Sequence, residues 1–467
     1  MRLMAFLLAL WPLLLAAQPT FTRQQFGEGF LFGTATASYQ IEGAVKEGGR
    51  GPSIWDTFTH TKGKIARGEN GDVTADFYHR YADDLALLDS MHFKNFRFSI
   101  SWSRIFPDGT GTPNPEGVAF YHRVIDACLQ RGITPWITIY HWDLPQALQD
   151  KGGWTNREIL VWFADYADFL TKTYGAKVKH WMVLNEPTAF TAGGYFAGIH
   201  APGEKGLKNF LKAAHHAALC QAEGGRIIRR NVPGALVGTT FSCADEQAYR
   251  PHKKSDRRTR RRFEAVFNRM FIEPALGMGY PVDALPVLKK IEKKIARPGD
   301  MERLQFDFDF IGVQTYTRQV VKHSIWPPII WGKEIKPAKR GISPENITEM
   351  GWEAYPEGIY HLLKHFASYK GVRRIIVTEN GAAFPDRVEN GAVNDTRRLQ
   401  YYQEYLTQVL RAKNEGVPVE GYFCWTLMDN FEWAEGYKPR FGLVYVDFAT
   451  QQRIVKKSGR WFQAFLK

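Results

Sequence analysis

Residues 375–381 read I-I-V-T-E-N-G, a short β-branched apolar run that ends abruptly in a carboxylate, an amide and a glycine. Valine and isoleucine suit a buried strand, and Gly381 marks the point at which the chain turns away. Burying an ionised Glu379 is costly unless a partner or a function retains it. Taken alone, this stretch is consistent with Glu379 being either a surface acid or a catalytic carboxylate. The rest of the sequence is needed to distinguish the two.

A short apolar strand followed by a longer amphipathic helix recurs along the chain from residue 30 onward, which is typical of parallel β/α units. Strands are predicted at 30–35, 94–100, 134–140, 180–184, 236–241, 308–313, 374–378 and 421–425. Helices are predicted between them at 78–91, 115–131, 156–174, 207–230, 356–369 and 396–414. Eight such units predict an α/β fold, a single (β/α)8 TIM barrel, with long βα-loop insertions at 242–301 and 317–350.

No Pro-, Gly- or Ser-rich linker divides the 467 residues, so residues 21–467 are predicted to form one barrel domain. Residues 1–17 have the form of a secretory signal peptide, with Arg2, an apolar run and then Ala16 and Ala17. That run is too short for a comfortable membrane span, and an uncleaved membrane anchor is the alternative interpretation. We therefore expect export to the periplasm or the extracellular space, with no membrane span in the mature chain.

The four cysteines are widely scattered and show no C-x-x-C or metal-ligand spacing, so no disulfide pair can be assigned. The formal net charge is +13, and residues 250–262 hold eight Lys or Arg against the single acid Asp256. Because no aromatic interleaving or binding fold accompanies this run, it favours a solvated helix face or an anionic-surface contact over a nucleic-acid site. The chain has no Walker loop, H-E-x-x-H or G-x-S-x-G motif, so no metal or other cofactor is required.

Polar and aromatic residues recur at the carboxyl ends of the predicted strands, the rim at which barrels of this class carry their active sites. Each one alone has an ordinary explanation, since strand arginines pair with structural acids and tryptophans fill cores. Together they indicate a site, because six or seven of the eight strands end in such residues. The residues concerned are Gln40, Arg97, His141, Trp142, Asn185, Glu186, Tyr316, Glu379, Trp425, Glu432 and Trp433.

Two of these residues, Glu186 and Glu379, each stand beside an asparagine at the end of an apolar strand. In glycoside hydrolysis one carboxylic acid protonates the leaving oxygen while another acts on the anomeric carbon, and their separation decides the stereochemical outcome. Tryptophans, including Trp352, can stack on sugar faces, while amides and imidazole supply the hydrogen bonds that hydroxyls require. The rim is thus equipped for glycoside hydrolysis.

Residues 30–43 read F-L-F-G-T-A-T-A-S-Y-Q-I-E-G, and N-E-P, T-E-N-G and F-G-L-V-Y-V-D follow at 185–187, 378–381 and 441–447. In these segments, and over essentially the whole mature chain, the sequence resembles glycoside hydrolase family 1, the β-glucosidase family. The resemblance implies a retaining, exo-acting β-glycosidase that acts through a covalent glycosyl-enzyme. The implied partner is a small-molecule β-glucoside, β-galactoside, β-fucoside or short β-linked oligosaccharide.

By the same resemblance Glu186 is the general acid/base and Glu379 the nucleophile. Arg97 and Tyr316 would hold Glu379 ionised and oriented, and Asn185 would contact the sugar 2-hydroxyl. Glu432 favours free sugars, because a carboxylate repels a 6-phosphate. The resemblance implies substrate-binding roles for Gln40, His141, Asn185, Trp352, Trp425, Glu432 and Trp433.

The chain departs from the family pattern in two places, with Gln314 where asparagine is usual and Val183 where threonine is common. Neither is a proton-transfer group, so we expect activity to survive while rim packing and aglycone preference shift. A non-catalytic sugar-binding relative is one alternative, although such proteins typically lose one of the two glutamates. A transglycosidase using the same intermediate is the other. The sequence does not predict an oligomeric state.

Overall fold

Eight parallel strands form a closed barrel in the order β1–β8–β7–β6–β5–β4–β3–β2. The computed structural model describes residues 21–327 and 329–467, so the predicted signal peptide lies outside the described residues. The barrel confirms the predicted fold class. Its strands are β1 Leu31–Ala35, β2 Asn95–Ser99, β3 Thr134–Tyr140, β4 His180–Asn185, β5 Leu236–Ser242, β6 Phe310–Gln314, β7 Ile375–Asn380 and β8 Val419–Trp425.

The longer helices lie in the connections that follow the strands, as expected for β/α units. All six helices predicted with bounds are present, and Lys254–Glu264 and Lys457–Phe465 are two more for which no bounds had been predicted. In the described residues these helices are α1 Phe77–Ser90, α2 Pro115–Gln130, α3 Ile159–Tyr174, α4 Leu207–Asn231, α5 Lys254–Glu264, α6 Glu357–Ala367, α7 Thr396–Asn414 and α8 Lys457–Phe465.

Helix α2 shows how local sequence sets these boundaries. The Asn114 side chain accepts a hydrogen bond from the backbone N–H of Glu116, and Pro115 occupies the first helical position, where its missing N–H costs nothing. Phe120 and Val124, four residues apart, are both buried. The helix therefore begins at a cap and presents one apolar face to the barrel.

The remaining elements are short and lie mainly in the connections. A three-stranded sheet in the two predicted insertions combines Asp245–Ala248, Arg318–His323 and Gly332–Glu334, and two further pairs are Val388–Glu389 with Ala392–Val393 and Val444–Val446 with Arg453–Val455. Short α-helices span Ser38–Ile41, Ile54–Thr59, Trp102–Ile105, Gln146–Gln149, Pro187–Ala192, Ile272–Ala275, Lys289–Lys294 and Asp300–Arg303. Single turns of 3-10 or π-helix span Arg23–Phe26, Ala66–Gly68, Gly153–Thr155, Gly193–Ala197, Ala265–Arg269, Pro286–Leu288, Pro337–Arg340, Pro344–Asn346 and Trp433–Glu435.

Aromatic rings fill the barrel interior. Trp136 on β3 contacts Phe310 on β6 and Phe423 on β8 edge to face, with ring centroids 5.7 and 5.2 Å apart. Because β3 is not a neighbour of either strand, these contacts cross the barrel. A Cβ atom at Gly238 would lie 2.3 Å from the Phe310 ring, so only glycine leaves room for it. The packed interior leaves the carboxyl-terminal rim as the place for a site.

The basic run 250–262 forms α5 and the turn before it, and several of its charges are paired. Arg250 binds the buried Asp256 at 2.7 Å, Arg261 lies 3.2 Å from Asp283, and Arg262 packs over the Trp331 ring. A solvated helix face was one of the two interpretations that the sequence favoured for this run, although its lack of apolar periodicity gave no helix boundaries.

All four cysteines lie in the described residues, and each is a buried free thiol. Among the helices of the described residues, none combines the length and the apolar character needed to cross a bilayer.

Candidate active site

Glu186 and Glu379 lie at the ends of β4 and β7, where the strand pairing is irregular. The register of β4 against β5 shifts between Met182 and Asn185, and that of β7 against β6 shifts between Val377 and Glu379. Such bulges bend a strand and re-aim the side chains that follow. Both glutamates are buried and line one pocket of about 270 Å³ at the rim.

Three pocket residues have left-handed backbone conformations, Glu186 with φ 45°, Trp142 with φ 77° and Trp433 with φ 47°. Non-glycine residues rarely adopt this region, and such strained positions cluster at functional sites. The Glu186 N–H donates to the Thr240 carbonyl at 3.0 Å, which fixes the turn between β4 and the helix Pro187–Ala192.

The Glu379 carboxylate accepts hydrogen bonds from three side chains. Arg97 Nη1 donates to Oε1 at 2.5 Å, and Tyr316 Oη donates to Oε2 at 2.6 Å. Gln314 Nε2 also donates to Oε1, at 2.9 Å. Both oxygens are therefore held in place, and the guanidinium compensates the buried negative charge.

Asn185 connects this cluster to His141. Its Oδ1 atom accepts from Arg97 Nη2, from Gln314 Nε2 at 2.8 Å and from Thr240 Oγ1 at 3.0 Å. Its Nδ2 atom therefore donates to His141 Nε2 at 2.9 Å. Since Nε2 accepts, neutral His141 carries its proton on Nδ1. Burial and the Arg97 charge hold the pKa of His141 well below its usual range, so it is neutral.

Two of the site residues predicted from the sequence each have a buried polar atom without a hydrogen-bond partner in the described part of the chain, and so does Gln314, at Oε1. The atoms of the two predicted residues are His141 Nδ1, which is then a free donor, and Gln40 Oε1, a free acceptor. The Gln40 amide is fixed by donation from Nε2 to the Phe431 carbonyl at 2.9 Å and to Glu432 Oε2 at 3.3 Å. An unpaired buried polar atom costs about 1–3 kcal/mol, so these atoms are suited to ligand hydroxyls.

The predicted site residues divide into those that line the pocket and those behind its wall. Gln40, Arg97 and Asn185 are fully buried, and each donates a hydrogen bond to a side chain of the pocket wall. Four tryptophans, Trp142 among them, line the pocket. The predicted residues on the pocket wall are His141, Glu186, Tyr316, Trp352, Glu379, Trp425, Glu432 and Trp433.

Burial raises the pKa values of three of the glutamates that line the pocket. For Glu186 burial and the neighbouring Glu379 charge raise the pKa well above its usual range. For Glu379 burial also raises the pKa, but Arg97, Tyr316 and Gln314 offset part of that effect. Burial followed by the Glu379 charge raises the pKa of Glu432 to about 8. Of the two glutamates at the strand ends, Glu379 is thus the one better stabilised as a carboxylate, and Glu186 the one whose pKa is raised more strongly.

The electrostatic coupling of the two glutamates predicts the effect of neutralising one of them. In Glu379→Gln the pKa of Glu186 should fall, because the charge that opposes its ionisation is gone, yet burial should keep it above the usual glutamate range. Carbon-13 NMR titration of labelled glutamate carboxyls measures this shift. Glu432→Gln is the matched control and should lower the pKa of Glu186 less. An unchanged or higher value in Glu379→Gln would contradict the coupling.

The sequence interpretation missed the part played by Gln314. It treated this residue as a departure that alters rim packing, whereas the Gln314 amide donates directly to Glu379 and Asn185. Thr138, which accepts from Arg97 Nε at 3.0 Å, and Thr240 were not singled out either. The signal available was the position of Gln314 at the end of β6, two residues before Tyr316.

We expect removal of the Gln314 amide donor to impair catalysis rather than folding. A hydrogen bond to a charged group contributes about 1.5–3 kcal/mol, so Gln314→Leu should lower kcat/KM by roughly 10- to 100-fold. Kinetics with an aryl β-glucoside provide the measurement, and Gln408→Leu, on the outer helix α7, is the control. Gln314→Asn should recover part of the loss if its shorter amide reaches Glu379. Normal activity in Gln314→Leu would remove this residue from the account.

Within the described residues, no group of three or more His, Cys, Asp or Glu side chains is arranged to hold a metal ion. The pocket therefore offers carboxyl, imidazole, phenol and indole groups for chemistry.

The sequence and the fold are both similar to those of known proteins. The sequence profile described as Glycosyl hydrolase family 1 matches residues 22–467. The chain is 42% identical to a 1,4-beta-D-glucan glucohydrolase of Thermotoga neapolitana, over 95% of this chain and 98% of that protein. It is 40% identical to a bifunctional beta-D-glucosidase/beta-D-fucosidase of Bifidobacterium breve, over 94% and 98% of the two chains. The solved structure of a beta-glucosidase from Thermotoga maritima in complex with deoxynojirimycin superimposes with a TM-score of 0.89 at 42% identity, covering 94% of this chain and 98% of that one.

Proposed function

This chain belongs to glycosyl hydrolase family 1, and from that membership and the pocket geometry we infer that it is a retaining β-glycosidase of the β-glucosidase type. It hydrolyses the terminal non-reducing sugar of β-glucosides, and β-fucosides are a second substrate class supported by the Bifidobacterium breve relative. One observation carries the proposed mechanism. A carboxylate held by Arg97 and Tyr316 lies in the same pocket as Glu186, whose pKa is raised well above its usual range by burial and by the Glu379 charge.

In the first step, Glu379 attacks the anomeric carbon while Glu186 donates its proton to the departing oxygen. The bond from the sugar to the leaving group breaks, and an ester between the sugar and Glu379 forms. Arg97 and Tyr316 keep Glu379 ionised and aimed before the attack. The high pKa of Glu186 keeps its proton available at neutral pH, which extends activity toward higher pH.

In the second step, the ester carries no charge, so the Glu379 contribution to the raised pKa of Glu186 disappears while that of burial remains. Glu186, now deprotonated, accepts a proton from water as the water attacks the anomeric carbon. The sugar leaves with its original configuration and Glu379 is restored as a carboxylate. Glu186 thus acts as an acid in the first step and as a base in the second, because the charge on the neighbouring Glu379 changes between the two steps.

The sugar is proposed to lie over Trp425, with His141, Glu432 and Trp433 around it. The free His141 Nδ1–H can donate to one hydroxyl, and the free Gln40 Oε1 can accept from another. Four acids line the pocket, and no lysine or arginine is among its described lining residues. This composition supports uncharged sugars over 6-phosphorylated ones, since phosphate binding requires cations or N–H donors.

Assays with a panel of glycosides test this function. The chain lacking residues 1–17 should hydrolyse p-nitrophenyl β-glucoside and β-fucoside, and proton NMR should detect the β-anomer of the sugar as the first product. Release of the α-anomer first would contradict the double displacement. Sugar binding without turnover of any β-glycoside would favour a non-catalytic relative, and a dominant disaccharide product at millimolar substrate would favour a transglycosidase.

We also propose that the chain is exported. Support comes from the Arg2, apolar run and double alanine of residues 1–17. Expression of the full chain in a Gram-negative host, followed by fractionation and N-terminal sequencing, should give periplasmic or secreted protein that begins after Ala17. Protein that keeps its N-terminus and remains in the cytoplasm would overturn this proposal.

A further inference from the structure

Exposed apolar side chains are concentrated around the basic helix α5 and the loop that follows the strand Arg318–His323. Ten large hydrophobic residues are exposed in the described part of the chain, and four of them lie here. These four are Tyr249, Ile325, Trp326 and Trp331. Ile325 is 87% exposed and the adjacent Trp326 is 73% exposed. Neighbouring apolar side chains that a fold leaves in water, next to charged ones, mark a binding surface.

Hydrogen bonds hold this loop against α5. The backbone N–H of His323 donates to Asp256 Oδ1 at 3.1 Å, and Thr259 Oγ1 donates to the Trp331 carbonyl at 3.1 Å. Ile325 is two residues beyond His323, so its Cα atom lies within about 8 Å of the Cα atom of His323. The apolar loop and the basic helix are therefore parts of one surface.

Most of the cations of this surface have no acidic partner. The two acids of α5 are already engaged, Asp256 by Arg250 and Glu264 by Arg260. Among the described residues, three of the eight cations in the basic run pair with carboxylates. The five that make no such pair with any described residue are Lys253, Lys254, Arg257, Arg258 and Arg262.

Three of these unpaired cations form a row along α5 that ends at the loop. Lys254, Arg258 and Arg262 are four residues apart, which places them on one face of the helix. The Arg262 guanidinium packs over the Trp331 ring, 4.6 Å from its centroid. Burial, and after it the Arg258 charge, lowers the pKa of Arg262, as expected for neighbouring cations. Together the five unpaired cations and the four exposed apolar side chains form the α5 surface.

We propose that the α5 surface docks the protein onto an anionic phospholipid bilayer. The cations lie against the lipid headgroups, while Ile325 and Trp326 enter the boundary between headgroups and acyl chains, where tryptophan is favoured. A second copy of this chain fits the surface poorly, because the same cations would face each other. A nucleic acid or an acidic polysaccharide would neutralise the cations but leave Ile325 in water. The inference goes beyond the proposed function and does not depend on it.

Vesicle sedimentation measures this docking. The chain is used without residues 1–17, because their apolar run could bind lipid by itself, and all eight barrel strands lie beyond them. Vesicles with equal parts of phosphatidylglycerol and phosphatidylcholine should bind the protein at least about 100-fold more tightly than vesicles of phosphatidylcholine alone. Raising sodium chloride to about 0.5 M should weaken this binding strongly, since salt screens the attraction to the headgroups. Equal binding to both kinds of vesicle, or no binding, would overturn the proposal.

Two double variants test the two parts of the α5 surface. Lys254→Ala/Arg258→Ala should lower the partition constant on the mixed vesicles about 20-fold, because each cation near an anionic surface contributes about fivefold. Ile325→Ala/Trp326→Ala should lower it about tenfold or more, because the apolar burial in the bilayer is lost. Unchanged vesicle binding in both variants would assign the binding to another part of the protein.

Lys370→Ala/Arg387→Ala is the matched control, because it removes the same charge from exposed positions outside the α5 surface. It should change the partition constant less than about twofold, since charges far from the lipid are screened. All three double variants should hydrolyse p-nitrophenyl β-glucoside normally, which shows that they are folded, because the described lining of the catalytic pocket includes none of the changed residues. A control variant that loses as much binding as Lys254→Ala/Arg258→Ala would show that only net charge matters and would overturn the assignment.

A fluorescent label reports whether the loop enters the bilayer. The four native cysteines are buried, so Ile325→Cys can be labelled selectively with an environment-sensitive nitrobenzoxadiazole dye. Its emission should shift to the blue and become stronger on the mixed vesicles. The same dye at Val388→Cys, an exposed apolar position on a separate hairpin, should not change. No shift at Ile325→Cys despite binding, or binding to heparin without binding to the mixed vesicles, would overturn the lipid assignment.

Discussion

Glu379→Ala should lower kcat/KM for p-nitrophenyl β-glucoside by at least about four orders of magnitude, because the group that forms the covalent bond is gone. The variant also leaves the buried Arg97 guanidinium without its carboxylate partner, which destabilises the fold. Glu379→Gln, which keeps the shape and an acceptor oxygen, is therefore measured beside it. Glu420→Ala, at the opposite end of barrel strand β8, is the control and should keep normal activity.

Azide distinguishes a lost nucleophile from a damaged pocket. In Glu379→Ala a small anion can enter the vacated space and attack a substrate with a good leaving group, such as 2,4-dinitrophenyl β-glucoside. Partial recovery should accompany formation of α-glucosyl azide, since attack comes from the face that Glu379 occupied. Near-normal activity without azide, or recovery with β-glucosyl azide, would assign the nucleophile to another residue.

Glu186→Ala should have a large effect that depends on the leaving group. Alkyl glucosides, which need protonation of the departing oxygen, should lose about a thousandfold or more in kcat/KM, within the range for general acid catalysis. For 2,4-dinitrophenyl β-glucoside the first step should be nearly preserved, because that leaving group needs no proton. Deglycosylation should then become limiting, since no base remains to activate water.

With azide, Glu186→Ala should give a product of the opposite anomeric configuration to that from Glu379→Ala. It attacks the glycosyl-enzyme from the face on which Glu186 operates, so Glu186→Ala should accelerate with azide and release β-glucosyl azide. Glu420→Ala again serves as the control. Equal losses for alkyl and dinitrophenyl substrates, with no effect of azide, would contradict the acid/base role of Glu186.

The barrel could be predicted because its strands have a strong local signal. The apolar run 375–378 and its seven counterparts are short and are separated by amphipathic helices, and that alternation determines a parallel sheet. Helix α5 could not be predicted in the same way, because its stability depends on pairs such as Arg250 with Asp256 and on packing against the sheet formed by the insertions. Those partners are distant in sequence or have no periodic pattern.

The site residues could be located from the sequence because the carboxyl ends of parallel strands meet at one rim. The hydrogen bonds among these residues could not be predicted in this way. The bond from Gln314 to Glu379 depends on the register shift between β6 and β7, and that between Thr240 and Asn185 depends on the shift between β4 and β5. An apolar cavity of about 320 Å³ beside the catalytic pocket is lined by residues of several connections, from residue 188 to residue 330. No local pattern reveals such an assembly.

The covalent glycosyl-enzyme at Glu379 is the central claim of this account, and mechanism-based labelling tests it most directly. The protein is incubated with 2,4-dinitrophenyl 2-deoxy-2-fluoro-β-glucoside, whose fluorine slows both steps while the activated leaving group keeps the first one accessible. The adduct is then located by peptide mass spectrometry. We predict one sugar per chain, bound to Glu379, with loss of activity in step with labelling. A sugar on Glu186 or Glu432, or inactivation without any adduct, would contradict the account.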